Sequence, residues 1–320
     1  MTKHTLAAEV EAASGGKQTV LATAKGQPSY FNVIPAFRCE EISSLLGTGL
    51  HPAFVVNGVE KSEILIGTYQ AVIRDGEAVS LPGQNPQASI DFDAARAACV
   101  ASGPGHHLMT NWEWAALALW MMKHGYGDLR GNTNNGQSHS HPQEKGTLCQ
   151  YGKVLTGSGP DAWRNDGTPF GIADLVGNVW EWSDGLKLLS GRIVMPADNA
   201  VDLAEDQWPE TGAVIDLVDG VPQIAGSVTV RDWDGEPFSN VTARNDSTHV
   251  LSLKQALLCP VDGLTPAGYF WADNTEDFEA LPIRGGGWGD GGRAGLAALS
   301  LFDERSDRFY YVGFRPAFIG

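Results

Sequence analysis

Hydrophobic positions recur with a helical period in only two stretches of this chain. Across residues 91–101, Phe92, Ala95 and Cys99 fall on one face, and Gly103-Pro104-Gly105 ends the run. The second stretch opens at Thr110-Asn111-Trp112-Glu113. There a hydroxyl and a carboxylate three residues apart can each satisfy an orphan amide of a first helical turn. This helix is predicted to run to about Lys123, with Trp114, Leu117 and Met121 facing inward and Gly125 as its terminator. Elsewhere the pattern is one of short alternations. Residues 214–224, with Asp219-Gly220 between two apolar arms, predict a hairpin, followed by a strand at 227–231. Gly177-Asn178 predicts a turn into a strand on which Trp180 and Trp182 share one face and Val179 and Glu181 the other.

The remaining text is polar or irregular. Residues 125–167 read as a long surface loop, with 132–136 its least structured part. The first forty residues hold few aromatic anchors before Tyr30 and Phe31, so 1–45 read as an extension or assembly segment. A main domain is expected over 46–320, with an insertion at about 186–275. No repeat of solenoid type is present.

Composition narrows the fold and excludes some partners. The 39 glycines permit irregular backbone paths and the 10 tryptophans anchor them, which predicts a loop-rich α+β fold with few helices and small antiparallel sheets. A net charge of −16, with 22 basic against 38 acidic residues, argues against nucleic acid as a partner. No run approaches the roughly 18 apolar residues of a membrane helix, and residues 1–20 lack the apolar centre of a secretory signal. Neither membrane insertion nor Sec export is therefore expected. The four cysteines, Cys39, Cys99, Cys149 and Cys259, form no C-x-x-C pair and read as buried, reduced thiols.

Three segments concentrate the chemistry: residues 109–114 (MTNWEW), 171–182 (GIADLVGNVWEW), and 283–288 (IRGGGW) with Val312-Gly313-Phe314-Arg315. A carboxylate inside an aromatic strand needs water or a partner, so Glu181 is expected, with Asn178, to lock local backbone and an arginine, Arg284 or Arg315. A structural calcium ion on Asn178 and Glu181 is the alternative, since both offer hard oxygen ligands. His106-His107 and His139-Ser140-His141 read as exposed loop histidines, the second pair being the one that merits a metal assay.

In this order the three segments resemble the formylglycine-generating-enzyme-like branch of the C-type lectin fold, over roughly residues 54–318. The resemblance implies that fold, with Trp112, Glu113, Asn178, Trp180, Glu181, Trp182, Arg284, Trp288, Gly313 and Arg315 as framework. It does not carry the activity, because those enzymes bind copper through two cysteines of the C-terminal block and residues 288–315 contain none. No catalytic residue is assigned and no cofactor beyond the structural calcium is expected. A metal-dependent oxidase or sulfoxide synthase of the same fold is the rival reading.

Interleaved with that framework lies an irregular set: Gly287, Gly289, Asp290, Gly292, Arg293, Ser300, Phe302, Asp303, Arg308, Phe309, Tyr310 and Tyr311. Exposed rings among Gly, Ser and Asp suit a recognition surface. Phe309–Tyr311 cannot all face inward on one strand, with Tyr310 the ring best suited to the core. The block also resembles the variable region of retroelement-diversified proteins, where substitution at template Asn codons excludes Lys, Glu, Gln, Met and Trp; the irregular set contains none of the five. That resemblance implies a ligand- or receptor-binding protein with a replaceable face over about 287–311. Its partner would be a protein or glycan receptor on a target cell surface, and its setting a phage tail or other surface display. A homo-oligomer, such as a trimer, fits the same resemblance, and a purely structural virion component is the remaining alternative.

Overall fold

Both helices read from periodicity and caps form, while three others among the described residues, Lys3–Ser14, Cys39–Ile42 and Val250–Gln255, lie outside the stretches read as helical. The computed structural model describes residues 3–244, 246, 250–264 and 266–320. Helix Phe92–Ala101 is capped by Asp91, whose carboxylate accepts from the Ala94 amide at 2.7 Å. Helix Asn111–Lys123 opens in the Thr110–Glu113 capping box and gives way to Gly125 at φ 85°. It is wider in its burial than a three-residue stripe: every residue from Asn111 to Leu119 is buried, as expected of a helix apolar almost all round.

Five antiparallel strands form one sheet in the order Gln18–Ala22, Pro28–Pro35, Glu63–Gly67, Pro316–Phe318, His106–Leu108. The first 45 residues are thus no extension. They supply two strands of a sheet that also contains the C-terminal strand, and helix Lys3–Ser14 packs on the first of them. Few aromatics are needed there because Ser29 and Asn32 are buried as polar residues, Asn32 donating to the Phe170 carbonyl and accepting from Thr68. His106 and His107 are likewise buried strand residues rather than loop histidines. His107 Nε2 lies 2.8 Å from Glu113, which also accepts from Asn199 at 3.0 Å.

The second sheet has eleven strands, larger than composition suggested. Its spine runs Trp233–Pro237, Tyr269–Asp273, Leu299–Asp303, Glu279–Arg284, Lys187–Leu189, Arg192–Val194 and Glu210–Val218, then on to Val221–Ala225 and Thr242–Ala243. Trp180–Trp182 branches from Glu279–Arg284 and pairs with Val312–Phe314. The hairpin turns at Asp219-Gly220 as read, with Val218 opposite Val221. The strand expected at 227–231 is absent. Asp216 accepts from the Thr229 and Val230 amides and from the Thr229 hydroxyl, tying this segment down as irregular backbone, and the strand begins instead at Trp233. Three strand pairings among the described residues are parallel: Tyr269–Asp273 with Leu299–Asp303, Trp180–Trp182 with Val312–Phe314, and Val221–Ala225 with Thr242–Ala243. Residues 245, 247–249 and 265 of the predicted insertion lie outside the described residues.

The polar stretch 125–167 contains no strand and only a short turn of helix at Asp161–Trp163. It is not simply a surface loop, since Asn132, Thr133, Val154 and Trp163 are buried. All four cysteines are free; Cys39, Cys99 and Cys259 are buried, while Cys149 is half-buried. Among the described residues no helix is long and apolar enough to cross a membrane.

Candidate functional site

The site stands on a buried polar hub. Asn178 sits at φ 65°, the left-handed turn conformation that Asn tolerates. Its side-chain oxygen accepts from the Val154 amide at 2.8 Å and from Asn132 at 3.2 Å, and its nitrogen donates to Gln70 at 2.8 Å. Gln70 in turn donates to Glu181 at 3.0 Å. Arg315 closes the network by a two-pronged contact with Glu181 at 2.9 and 2.7 Å and by donating to the Gly67 and Ala173 carbonyls. Arg284, the other arginine considered, sits opposite Glu181 in the strand register, but its side chain runs to Asn111 at 2.6 Å. With no carboxylate beside it, burial pulls the Arg284 guanidinium down to about 9. The oxygens of Asn178 and Glu181 are occupied by these bonds, so the pair does not fit the calcium site considered for it.

From the hub the backbone reaches the C-terminal block. Trp288 donates its amide to the Asn178 carbonyl, and its own carbonyl accepts from the Asn135 amide. The Gly291 amide donates to the Thr133 carbonyl. The Asn-rich run 132–136, expected to be the least structured, is therefore the buttress of residues 288–291. His139 belongs to the same support, its Nδ1 2.9 Å from the Thr133 hydroxyl, while His141 meets Ser140. Among the described residues no three His, Cys, Asp or Glu side chains gather in a metal-binding cluster.

Above the hub opens a cavity of about 420 Å³. Its floor is one row across three neighbouring strands, since Ser300 is in register with both Trp271 and Ile283. Trp180, Trp233 and Phe302 form the walls, Trp180 meeting Trp271 at 5.7 Å and Trp233 meeting Phe302 at 5.3 Å between ring centres. The loop of Gly287, Trp288, Gly289 and Asp290 borders one side, and Tyr310 and Tyr311 another, with Trp288 and Tyr310 6.1 Å apart. Asp303 also lines the cavity and accepts from the Ser300 hydroxyl at 2.7 Å. Burial pushes the Asp303 carboxyl up to about 6.

Eight of the twelve irregular residues line this cavity: Gly287, Gly289, Asp290, Ser300, Phe302, Asp303, Tyr310 and Tyr311. The other four do not. Arg308 pairs with Asp91, Arg293 stacks over Tyr269 at 5.5 Å, Gly292 is exposed, and Phe309 stacks on Tyr311 at 5.1 Å. Tyr310, the ring best suited to the core by sequence, is the most exposed of the three consecutive aromatics at 48%, because the strand that follows them begins only at Val312.

No protein-family model and no curated protein matches the chain. Among solved structures it is similar to Treponema denticola variable protein 1, at 12% identity and a TM-score of 0.36 over 94% of this chain and 98% of that one. It is similar also to the U1 variant of the Major Tropism Determinant, at 12% identity and a TM-score of 0.35 over 90% of this chain and 62% of that one. A third similar structure is PvdO from Pseudomonas aeruginosa, at 14% identity and a TM-score of 0.35 over 94% and 97%. A variable protein is thus among the structures to which the chain is similar.

Sequence reasoning missed Gln70, Trp233 and Trp271. The two tryptophans come from the region read as an irregular insertion. A signal for Trp271 was present in the alternation of Tyr269 and Trp271 with Phe270 and Ala272, whose members are half-buried and buried in turn. Gly235 lies opposite Trp271 in the register, and a Cβ there would stand 2.1 Å from the Trp271 ring. The missing side chain makes room for the indole.

Proposed function

We propose that this is a ligand- or receptor-binding protein in which a C-type-lectin-like scaffold presents the cavity and its rim, residues 287–311, as a replaceable binding face. The observation that carries the reading is the concentration of eight irregular residues around one open aromatic cavity, while the flanking Arg284, Gly313 and Arg315 are buried. The glycines support it independently. A Cβ at Gly289 would meet nothing within 4 Å, at Gly292 only an ordinary contact at 3.5 Å, and at Gly287 a tight one at 3.2 Å. At Gly285, Gly286, Gly295 and Gly313, all outside the set, it would fall within 2.0–2.5 Å of neighbouring atoms. The contact positions are therefore the ones that can accept a side chain.

The target is a protein or glycan receptor on a cell surface. Display on a phage tail or comparable surface suits that role, and assembly into a trimer would multiply weak single contacts. Sequencing the gene from independent isolates tests the replaceable face. Differences should cluster at the contact positions within 287–311, and an even scatter along the chain would overturn the reading. Attachment of the purified protein to a panel of cell types tests the binding role, with Phe302→Ala/Tyr310→Ala expected to abolish it.

A further inference from the structure

Seven aromatic rings line the cavity, four indoles, two phenols and one phenyl, together with two carboxylates and no lysine, arginine or histidine. Four buried carboxylates elsewhere meet cations, Glu181 with Arg315, Asp216 with Arg244, Asp184 with Arg96 and Glu113 with His107, whereas Glu77, Asp174 and Asp273 are held by neutral donors and face no cavity of this kind. Asp303 and Asp290 have no cation within ion-pair distance among the described residues. Asp303 receives the Ser300 hydroxyl, and Asp290 receives the Gly287 amide at 2.6 Å and the Trp180 indole. Arg293, whose charge reaches Asp290 without an ion pair, is held over Tyr269.

This arrangement discriminates among ligand chemistries. Anions are repelled by both carboxylates. A neutral sugar needs donors as well as acceptors around it. Here the Ser300 hydroxyl is committed to Asp303 and the buried Trp288 indole N–H has no partner among the described residues, so the side-chain donors left for a sugar are chiefly the Tyr310 and Tyr311 hydroxyls at the rim. Seven ring faces and two carboxylates outweigh these donors, and both attract positive charge.

We infer that the cavity takes an organic cation, an alkylated or quaternary ammonium group carried by the target, with the rings supplying π faces and the two aspartates the countercharge. This rests on the cavity being the target-binding site. The ammonium group replaces the missing partner of the carboxylates and loses its water to ring faces that attract it. A ligand cation also favours the ionised form of Asp303. Around that group stand Asp307 from the following turn, Asp290 across the cavity, and Tyr310 and Tyr311 from the final loop, none of them cationic.

Titration of tryptophan fluorescence with choline and tetramethylammonium, against 3,3-dimethylbutan-1-ol as the uncharged isostere and methyl galactoside as the sugar, tests this at constant ionic strength. Choline should bind at least about tenfold more tightly than the isostere. Its affinity should fall as pH drops below about 6, and Asp303→Asn should remove that pH dependence. Trp233→Ala, at a wall residue 60% exposed and so dispensable for folding, should weaken choline binding several-fold. Equal binding of the isostere, binding of the sugar alone, or no response to either cation overturns the inference. The broader reading fails separately: if the cations do not bind but Phe302→Ala/Tyr310→Ala abolishes cell attachment, the cavity still binds the target and only its assigned chemistry is wrong. Attachment indifferent to that double variant removes the binding role itself.

Discussion

Arg315 and Tyr310 lie five residues apart and serve opposite ends of the same block. Around Arg315 the partners are matched: the guanidinium meets a carboxylate and two carbonyls, and Gln70 and Asn178 complete the network in full burial. Around Tyr310 the rings touch one another at angles and, among the described residues, the carboxylates lack cations and the Trp288 indole N–H has no partner. The hub fixes the backbone of the block through the Asn178 carbonyl and the strand pairing of Val312–Phe314, so the cavity side chains need not hold it. The residues that hold the block are thereby separate from the side chains that line the cavity.

The sharpest way to break this division is to attack the hub. Arg315→Met leaves Glu181 as a buried, unpaired charge and is expected to cost about 3–5 kcal/mol, read as a lowered midpoint in urea unfolding. A smaller cost measured there would mean that the hub is not what holds the block. Paired glycine variants sharpen the contrast next. Gly285→Ala, at φ 91° with the Leu175 carbonyl 2.5 Å from the new Cβ, should lose about 2–3 kcal/mol. Gly289→Ala, in open space, should stay within about 0.5 kcal/mol of the parent.

The acidity of the two regions predicts slopes of opposite origin. Asp303 is raised by burial to about 6, so the folded state holds its proton where the unfolded chain, near 3.9, has lost it. Stability should therefore fall as pH rises from about 4 to about 6, by at most about 3 kcal/mol, and Asp303→Asn should flatten that slope. Burial disfavours the charged form of His107, but Glu113 beside it outweighs this and raises the group. Its contribution is present in full at low pH and is lost as pH climbs through the raised value; His107→Gln should abolish this second slope. The smallest effect belongs to Tyr310→Ala, expected to shift stability by no more than about 0.5 kcal/mol in thermal unfolding.

Features governed by near neighbours were legible in the sequence. The capping box at Thr110, the glycine after Lys123 and the Asp219-Gly220 turn each act within a few residues, and each stands where the text placed it. The need of Glu181 for a partner was legible too, since burial of a carboxylate imposes it. Which arginine would answer was not, because Arg284 and Arg315 both come close in backbone and only side-chain direction separates them. The contribution of Trp233 and Trp271 rests on a parallel pairing between strands some thirty residues apart, a contact that no local pattern encodes. Residues 132–136 misled for a related reason. Their polarity suggested solvent, while their partners, Asn178, Trp288 and Gly291, lie far along the chain.

That parallel pairing has a consequence for descent. It brings the strand of Trp271 to the cavity, and the antiparallel neighbour of that strand adds Trp233 and the Gly235 that faces Trp271, so two of the indoles come from residues 233–271, outside the span of 287–311. A descendant that rewrote every contact position after residue 286 would inherit Trp180, Trp233 and Trp271 unchanged. Such lineages would retain a shared chemical taste while exploring new individual targets, much as a lock series keeps its keyway while its pins are recut.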